Sequence, residues 1–263
     1  MILYISGTGN TKYVAEKLAA ALGDRAVDVT KIPADGGFTL ELEKGETLGF
    51  CFPVHGWRPP QLMRRFVHRL TVRTETSSEE MYTFAVCTAG DTVGEAIDVF
   101  ISDAAKSGIK VNAAFDVKMP NTYVGLPFMD VDGKEVESKK IKASAERLTF
   151  VSTAIKKKTE GLFLNYIGKW PRINSRFLGS LFVRKLVTDR YFRVDETACV
   201  KCGKCAAVCP VADIIYIKGE YPKWKHNKKC MTCFACYHSC KKHAIQYGWM
   251  TRGKGQYQFP VNR

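Results

Sequence analysis

A repeated pattern of cysteines near the C-terminus is the strongest chemical signal in this sequence. Four cysteines separated by two, two and three residues recur 31 residues further along the chain. Thiolates at such short spacings are typical ligands of metals and metal–sulfur centres, whereas structural disulfides are rare in a reducing compartment. The sequence therefore predicts two metal-binding motifs, whose members are Cys199, Cys202, Cys205 and Cys209 in the first and Cys230, Cys233, Cys236 and Cys240 in the second.

Zinc and haem are the alternative occupants of these motifs. A zinc ribbon uses two C-x2-C pairs, so zinc would leave Cys205 and Cys209, and their counterparts in the repeat, without a role. The sequence contains no C-x-x-C-H, which argues against covalently attached haem. The spacing C-x2-C-x2-C-x3-C favours 4Fe–4S clusters instead.

Residues 193–247 resemble the dicluster ferredoxins of bacteria. The resemblance implies two 4Fe–4S clusters with crossed ligands, in which the fourth cysteine of each motif reaches the other cluster. One cluster would be held by Cys199, Cys202, Cys205 and Cys240, and the other by Cys230, Cys233, Cys236 and Cys209. Pro210 follows Cys209 as in that family, but Lys241 follows Cys240. We expect this departure to leave ligation intact and to alter the hydrogen bonding, and hence the potential, of one cluster.

A second candidate site lies at the N-terminus. The sequence Ser-Gly-Thr-Gly-Asn-Thr follows a short apolar run and precedes a helical pattern formed by Val14, Leu18 and Leu22. Backbone N–H groups at a helix N-terminus bind anions, and three hydroxyls lie beside them. The loop has neither the G-K-[ST] of a Walker loop nor the G-x-G-x-x-G of a dinucleotide fold. A plain tight turn is the alternative.

This loop resembles the phosphate loop of flavodoxins, [ST]-x-T-G-x-T, at its usual N-terminal position. In that family the loop binds the phosphate of FMN without a basic side chain. The resemblance therefore implies an FMN site. The residues concerned are Ser6, Gly7, Thr8, Gly9, Asn10 and Thr11.

Two further strand ends are expected to complete the flavin site, because open α/β sheets bind ligands at the carboxyl ends of their strands. Both resemble flavin loops of flavodoxins. Trp57 is a candidate for stacking on the flavin ring, and Gly56 would let the backbone approach N5 of the flavin. Tyr123, which follows a fifth strand, is a candidate for covering the edge of the ring. Ordinary packing is the alternative for both aromatic residues, and His55 either bonds flavin or is solvated. The loop residues are Pro53, Val54, His55, Gly56 and Trp57, and then Thr88, Ala89, Gly90 and Asp91.

Alternating strand and helix patterns surround these loops. Apolar runs predict strands at 1–6, 26–30, 47–53, 82–88 and 109–117, and helical patterns occur at 10–22, 60–70, 93–107 and 136–159. Cys51 and Cys87 lie inside strands and are predicted to be buried small hydrophobes. We predict an α/β fold, a flavodoxin-like doubly wound parallel sheet of order 2-1-3-4-5, followed by a small α+β dicluster ferredoxin domain. The predicted divisions are an FMN domain at 1–159, a basic connector at 160–190 and a 2×(4Fe–4S) domain at 191–263.

Basic residues are concentrated in the second half of the chain. Residues 1–150 contain 18 Lys and Arg against 20 Asp and Glu, whereas residues 151–263 contain 22 against 6. A basic face suits an acidic redox partner, and the group we nominate is Lys223, Lys225, Lys228 and Lys229. Solvated charge is the alternative. No recognised nucleic-acid-binding module accompanies the charge, so we expect no nucleic-acid partner.

The connector mixes apolar and basic residues. It is expected either to pack as a helical or irregular segment between the two units, or to form a basic amphipathic surface that touches anionic lipid. No run of eighteen apolar residues occurs, so no transmembrane helix is expected. The N-terminus has no basic region before its short apolar run, which predicts a cytoplasmic protein without a signal peptide.

The chain as a whole resembles the flavodoxin–ferredoxin fusion family of anaerobic bacteria and archaea. The resemblance implies an electron-transfer flavoprotein that passes low-potential electrons between two 4Fe–4S clusters and FMN and on to a redox protein. The alternative is a reductase that acts on a small molecule at the FMN, with the clusters as its internal wire. We nominate no catalytic acid or base, which favours the carrier.

Overall fold

Six parallel strands form the sheet that organises the first unit. The structure, a computed structural model, describes residues 1–33, 36–74 and 81–259. The sheet has the order β2-β1-β4-β6-β7-β8 and every neighbouring pair is parallel. In chain order the strands of this unit are β1 (Ile2–Tyr4), β2 (Ala26–Asp28), β3 (Phe38–Leu42), β4 (Leu48–Pro53), β5 (Leu70–Thr74), β6 (Thr83–Ala89), β7 (Ala113–Lys118) and β8 (Leu162–Leu164).

The predicted doubly wound topology is confirmed. The five predicted strands correspond to β1, β2, β4, β6 and β7, and they occur in the predicted order. The sheet continues one strand further, because β8 pairs with β7. Its residues lie in the segment predicted as a connector, whose sequence carries no strand signal stronger than three apolar residues.

Helices cover both faces of the sheet. They are α1 (Asn10–Leu22), α2 (Gln61–Arg69), α3 (Ala96–Lys106) and α4 (Lys134–Lys156). Side chains of α2 and α3 pack into one apolar cluster and those of α1 and α4 into the other. Strand residues alternate between the two, since Phe50 faces the first cluster and Cys51 the second. Each face of the sheet is therefore buried, as the continuous apolar runs of its strands predict.

A separate parallel pair, β3 and β5, was not predicted. Phe38 is aligned with Leu70 and Leu42 with Thr74. The two strands are joined through β4 and α2, so their pairing depends on long-range packing rather than on a local turn.

The second unit consists of short elements. Its strands are β9 (Phe192–Val194), β10 (Ile214–Ile215), β11 (Lys223–Trp224) and β12 (Ile245–Tyr247), with antiparallel pairs β9–β12 and β10–β11. Between the units, a π-helix (Ile173–Leu178) continues into α5 (Gly179–Lys185). The second unit itself contains two short helices, α6 (Lys204–Ala207) and α7 (Ala235–His238). Within the described residues, no helix has the length and apolar character needed to cross a bilayer.

The backbone of the second unit repeats as its sequence does. Left-handed φ values occur at Lys201 and Thr232, 31 residues apart, and again at Gly203 and Phe234. In each copy the second of these residues immediately precedes a short helix, α6 or α7, that contains the third cysteine of the motif. The two motifs therefore share one local conformation, which glycine adopts freely in one copy and phenylalanine adopts at a cost in the other.

Candidate functional site

Three loops at the carboxyl ends of β1, β4 and β6 line one cavity of about 470 Å³, together with the segment after β7. Parallel strands end at the same edge of a sheet, so loops distant in sequence meet there. Of the sixteen residues predicted to bind flavin, all except Gly9 line this cavity. Gly9 instead precedes α1 with a φ of 99°, a conformation that favours glycine.

The first loop is held by its own side chains. The Ser6 hydroxyl accepts the backbone N–H of Gly9 at 3.2 Å, and the hydroxyls of Thr11 and Thr88 bond each other at 2.7 Å. Asn10 donates its amide to the carbonyl oxygen of Pro120 at 2.9 Å. These bonds fix the N-terminus of α1 against two neighbouring strand ends, and they leave the loop shaped for an anion at its backbone N–H groups.

The second loop makes a tight reversal at His55–Arg58. Backbone bonds of 2.9 and 3.2 Å join His55 and Arg58 in both directions, and Trp57 adopts a left-handed φ of 57°. The Trp57 indole N–H donates to the hydroxyl of Thr92 at 3.0 Å, which sets the orientation of the ring. Burial lowers the pKa of His55 to about 4. Its imidazole is therefore neutral near pH 7 and able to donate a hydrogen bond in the cavity.

Tyr123 lines the cavity with a buried polar group that has no hydrogen-bond partner among the described residues. Its ring lies edge-on to Phe182 and Phe234, with centroid separations of 5.4 Å in both cases. Its hydroxyl is buried and forms no hydrogen bond within the described part of the chain. A buried hydroxyl without a partner is costly, and a polar ligand in the cavity would satisfy it. The cavity therefore fits a large ring system that carries hydrogen-bonding atoms.

The two cysteine motifs lie close to one another. Burial raises the pKa of Cys205 to about 11, and its neighbours Cys240 and Cys199 add to the rise. Burial likewise raises the pKa of Cys233 to about 11, with Cys209 as the charged neighbour. The structure thus brings Cys240 to the first motif and Cys209 to the second.

The surroundings of these thiols suit metal–sulfur ligation. None of the ten cysteines is in a disulfide. Backbone N–H groups of Asp213 and Ala244, which are 31 residues apart, donate to the sulfurs of Cys209 and Cys240 at 3.2 and 3.3 Å. Such bonds stabilise the negative charge of a cluster ligand. Among the described residues, no three His, Cys, Asp or Glu side chains meet as a single metal ion requires.

The second cysteine motif forms part of the flavin cavity. A Cβ atom added to Gly7 would lie 2.9 Å from the Cβ of Cys233 and 3.3 Å from its Sγ. Met231, Thr232, Cys233 and Phe234 line the same cavity as the three loops. The absence of a side chain at Gly7 therefore allows Cys233, a predicted cluster ligand, to contact the loop predicted to bind phosphate.

Comparison with known families identifies two domains in the chain. The family model described as "Flavodoxin domain" matches residues 1–122, and the one described as "4Fe-4S dicluster domain" matches residues 191–241. The chain is a flavodoxin–ferredoxin fusion. Its flavodoxin domain implies a flavin and its dicluster domain implies 4Fe–4S clusters, so it is a redox protein of the flavin and iron–sulfur type.

Several solved structures are similar to this chain, whereas a search of curated proteins found no match. A flavoprotein from Bacteroides uniformis is 14% identical, with 54% of this chain and 96% of that chain covered and a TM-score of 0.34. The azoreductase AzrA is 10% identical, with 59% and 99% covered and a TM-score of 0.39. A flavone reductase is 11% identical, with 66% and 69% covered and a TM-score of 0.39.

A C-terminal strap, residues 254–259, ties the dicluster domain of the fusion to its flavodoxin domain. The backbone N–H of Phe259 donates to the carbonyl oxygen of Thr8 at 2.8 Å, and its ring stacks on Tyr13 with centroids 4.3 Å apart. The Tyr257 hydroxyl donates to the side-chain oxygen of Asn10 at 2.7 Å. The strap therefore braces the phosphate loop from outside the cavity.

His238 makes a second link between the domains. Its Nε2 lies 2.8 Å from the carbonyl oxygen of Thr122, and its Nδ1 accepts the backbone N–H of Tyr257 at 3.1 Å. Because a carbonyl only accepts, this network assigns the ring proton to Nε2. Burial lowers the pKa of His238 to about 4, which keeps the imidazole in this neutral form. His238 thus connects the segment after β7 to the C-terminal residues.

Several residues of the cavity wall were missed by the sequence analysis. Phe182, Met231 and Phe234 come from the connector and the dicluster domain. Phe182 carries no motif, and Met231 and Phe234 are spacer residues between cysteines. Phe234 has a positive φ, which the equivalent Gly203 of the first repeat adopts without cost. The change from glycine to phenylalanine between the repeats was therefore the available sequence signal that Phe234 has a special role. Cys51 and Cys87, by contrast, are fully buried in the sheet, as predicted.

Proposed function

We propose that the protein is an electron-transfer flavoprotein that carries one FMN and two 4Fe–4S clusters and exchanges electrons with a redox protein. The observation that carries this proposal is the contact between Gly7 and Cys233, since it makes a cluster ligand part of the flavin cavity wall. Clusters exchange single electrons and FMN exchanges one or two. A protein that holds both can therefore convert between one-electron and two-electron transfer. We assign the protein to the cytoplasm, where thiol ligands stay reduced.

Residues of the flavodoxin domain are proposed to orient the FMN. Ser6, Thr8 and Thr11 would surround its phosphate at the N-terminus of α1, where the N–H groups attract an anion. Trp57 and Tyr123 would enclose the ring. The hydrogen bond that orients the Trp57 indole and the unpartnered Tyr123 hydroxyl support this assignment.

The two clusters are proposed to take crossed ligand sets. The one beside the flavin would be held by Cys209, Cys230, Cys233 and Cys236, and the other by Cys199, Cys202, Cys205 and Cys240. The proximity of Cys240 to Cys205, and of Cys209 to Cys233, supports the crossing. Cys240→Ala should therefore alter the spectrum of the cluster farther from the flavin, and Cys209→Ala that of the nearer one. Electron paramagnetic resonance of the reduced variants separates these results, and the opposite pattern would refute the crossing.

The cluster farther from the flavin is proposed to be the point of exchange with the partner. Its ligand Cys202 is exposed, and Val200 beside it is 60% exposed. The equivalent residues of the nearer motif are less accessible, since Cys233 is only partly exposed and Met231 is 4% exposed. Electrons would then pass between partner, outer cluster, inner cluster and FMN in this order or its reverse.

Cofactor content is the first test of the proposal. Protein purified without oxygen should contain about eight iron, eight sulfide and one FMN, as two cubane clusters and one phosphate loop require. Stoichiometric zinc without acid-labile sulfide would refute the cluster assignment. A chain that holds clusters and no flavin would refute the flavin assignment separately.

Transfer between the nearer cluster and FMN is the second test. Gly7→Ala introduces a Cβ that clashes with Cys233, so it should slow flavin reduction after the clusters are reduced in a stopped-flow experiment. Gly133→Ala is the matched control, because a Cβ there meets nothing within 4 Å. Equal rates in the two variants would show that electrons do not pass at this contact.

An acidic protein is the partner that the charge distribution supports. Electron exchange with a small acidic ferredoxin should slow steeply as salt rises, because a Debye length of about 8 Å at physiological ionic strength screens steering charges. Changing Lys223, Lys225, Lys228 and Lys229 to Gln should flatten this dependence and leave the clusters intact. A salt-independent rate would reject the acidic partner. Rapid turnover of a small-molecule acceptor by the reduced protein would favour a reductase instead.

A further inference from the structure

The outward face of the helical segment between the domains carries a row of exposed apolar side chains. Trp170 is 69% exposed and Phe177 70%, and Ile173, Leu178 and Leu181 are each more than two-fifths exposed. Ile173, Phe177 and Leu178 lie in the π-helix and Leu181 lies in α5, whereas Trp170 immediately precedes this helical segment. Single exposed apolar residues are ordinary, but a contiguous group marks an interaction surface. We call these five side chains the apolar row.

The opposite face of the same segment is anchored, so the apolar row cannot turn inward. The hydroxyl of Ser175, which is fully buried, accepts the backbone N–H of Glu95 at 2.8 Å, and its carbonyl oxygen accepts from Arg58 at 2.9 Å. Arg176 forms two bonds of 2.9 Å to the carboxylate of Glu95. A Cβ on Gly179 would lie 2.2 Å from the carbonyl oxygen of Gly56. The helix is therefore fixed in its rotation.

The charged residues of the helical segment itself have a single sign. Residues 161–185 contain five Lys and Arg and no Asp or Glu. One of the five, Arg176, is paired with Glu95, and the other four, Lys169, Arg172, Arg184 and Lys185, are exposed. A two-fold contact with a second copy of this chain would bring these like charges together. An anionic lipid surface, in contrast, accepts both the basic residues and the apolar row.

We propose that this segment docks the protein on an anionic lipid surface. Trp170, Phe177 and Leu181 enter the boundary between headgroups and acyl chains, and the four exposed basic residues contact the headgroups. Aromatic residues such as Trp170 favour this boundary because one part is apolar and another donates a hydrogen bond. The inner face of the same helix carries Phe182 into the wall of the flavin cavity. Docking would therefore hold that cavity close to the membrane surface, with the helix lying on the bilayer.

Sedimentation with vesicles tests the proposal on the full chain. We expect the protein to bind vesicles of equal parts phosphatidylcholine and phosphatidylglycerol. Its affinity for vesicles of pure phosphatidylcholine should be lower by about tenfold or more. The double variant Phe177→Ser/Leu181→Ser should lose about tenfold in affinity. Trp249→Ser is the matched control, since Trp249 is 63% exposed but lies in the dicluster domain. Its affinity should equal that of the unaltered protein, and near-ultraviolet circular dichroism confirms that each variant is folded.

Three outcomes would overturn the inference. One is a failure of the unaltered protein to bind anionic vesicles, and another is an equal loss of binding in the Trp249→Ser control. The third is a lipid-free dimer, detected by analytical ultracentrifugation, that Phe177→Ser/Leu181→Ser dissociates, because the apolar row would then be an interface between copies. None of these readouts depends on electron transfer, so the proposed function is tested separately.

Discussion

The flavodoxin and dicluster domains are stabilised in different ways. The flavodoxin domain buries apolar side chains on both faces of a six-stranded sheet, beneath helices of 9 to 23 residues. The dicluster domain has strands of two or three residues and, around its cysteines, helices of four. In the described part of the chain this domain contributes eight buried members to its apolar cluster, including Cys205 and Cys236, and Val124 is the ninth member.

The contrast indicates how each domain depends on its cofactor. A large core stabilises the flavodoxin domain without a ligand, so flavin is expected to bind a fold that already exists. A small core that includes its own ligands resembles metal domains in which binding supplies the folding free energy. The clusters are therefore expected to organise the dicluster domain as well as to carry electrons.

Removal of the clusters should have the largest effect and should act on one domain alone. After an oxidant and a chelator have removed the clusters without the use of acid, backbone amides of β9 and β12 should exchange with solvent. Those of β4 and β6 should stay protected, because only β9 and β12 depend on cluster ligation. Hydrogen exchange followed by mass spectrometry measures this difference. Retained protection of β9 and β12 would show that the dicluster domain folds by its apolar core alone.

A substitution that creates a cavity in the core of the flavodoxin domain should destabilise that domain rather than the dicluster domain. Phe100 is fully buried. The centroid of its ring lies 5.1 Å from that of Phe50 and 4.8 Å from that of Phe52. Phe100→Ala should lower the free energy of unfolding of this domain by about 3–5 kcal/mol. Urea titration monitored by circular dichroism measures the loss. Phe128→Ala, at a side chain 84% exposed, is the control and should change stability by about 0.5 kcal/mol or less.

Loss of hydroxyls in the phosphate loop should weaken FMN without damage to the clusters. Thr8→Ala and Thr11→Ala should each reduce binding by on the order of 1–3 kcal/mol, since each removes a donor near a buried phosphate. Titration of flavin fluorescence measures the affinity, and visible absorbance reports the clusters. Thr153→Ala on the exposed face of α4 is a control. Unchanged affinity in the double variant would mean that the phosphate binds elsewhere.

The smallest expected effect concerns the strap that joins the two domains. Tyr257→Phe removes the hydroxyl that bonds Asn10, so FMN binding should weaken by about 0.5–1.5 kcal/mol although the residue lies outside the cavity. Tyr221→Phe is the matched control, because its hydroxyl bonds Glu196 within the dicluster domain. If both variants bind FMN equally, the strap does not brace the phosphate loop.

Much of the fold was accessible from the sequence because its signals are local or periodic. Strand β4 is a continuous apolar run, α1 follows the loop that contains Gly9, and the cysteine repeat is visible without any structure. Strands β3, β5 and β8 were not predicted, since pairing across intervening elements selects short and mixed segments as strands.

The sequence by itself determined the chemistry of this protein: two four-cysteine motifs, a loop suited to phosphate, and a basic second half. Only the tertiary structure decided how these parts meet. The contact of Gly7 with Cys233 and the bond from Tyr257 to Asn10 join different domains, and Phe182 enters the flavin cavity from the connector. No local pattern encodes such contacts, because they depend on the shapes of two separately folded surfaces and on the buried area and hydrogen bonds gained when those surfaces pack.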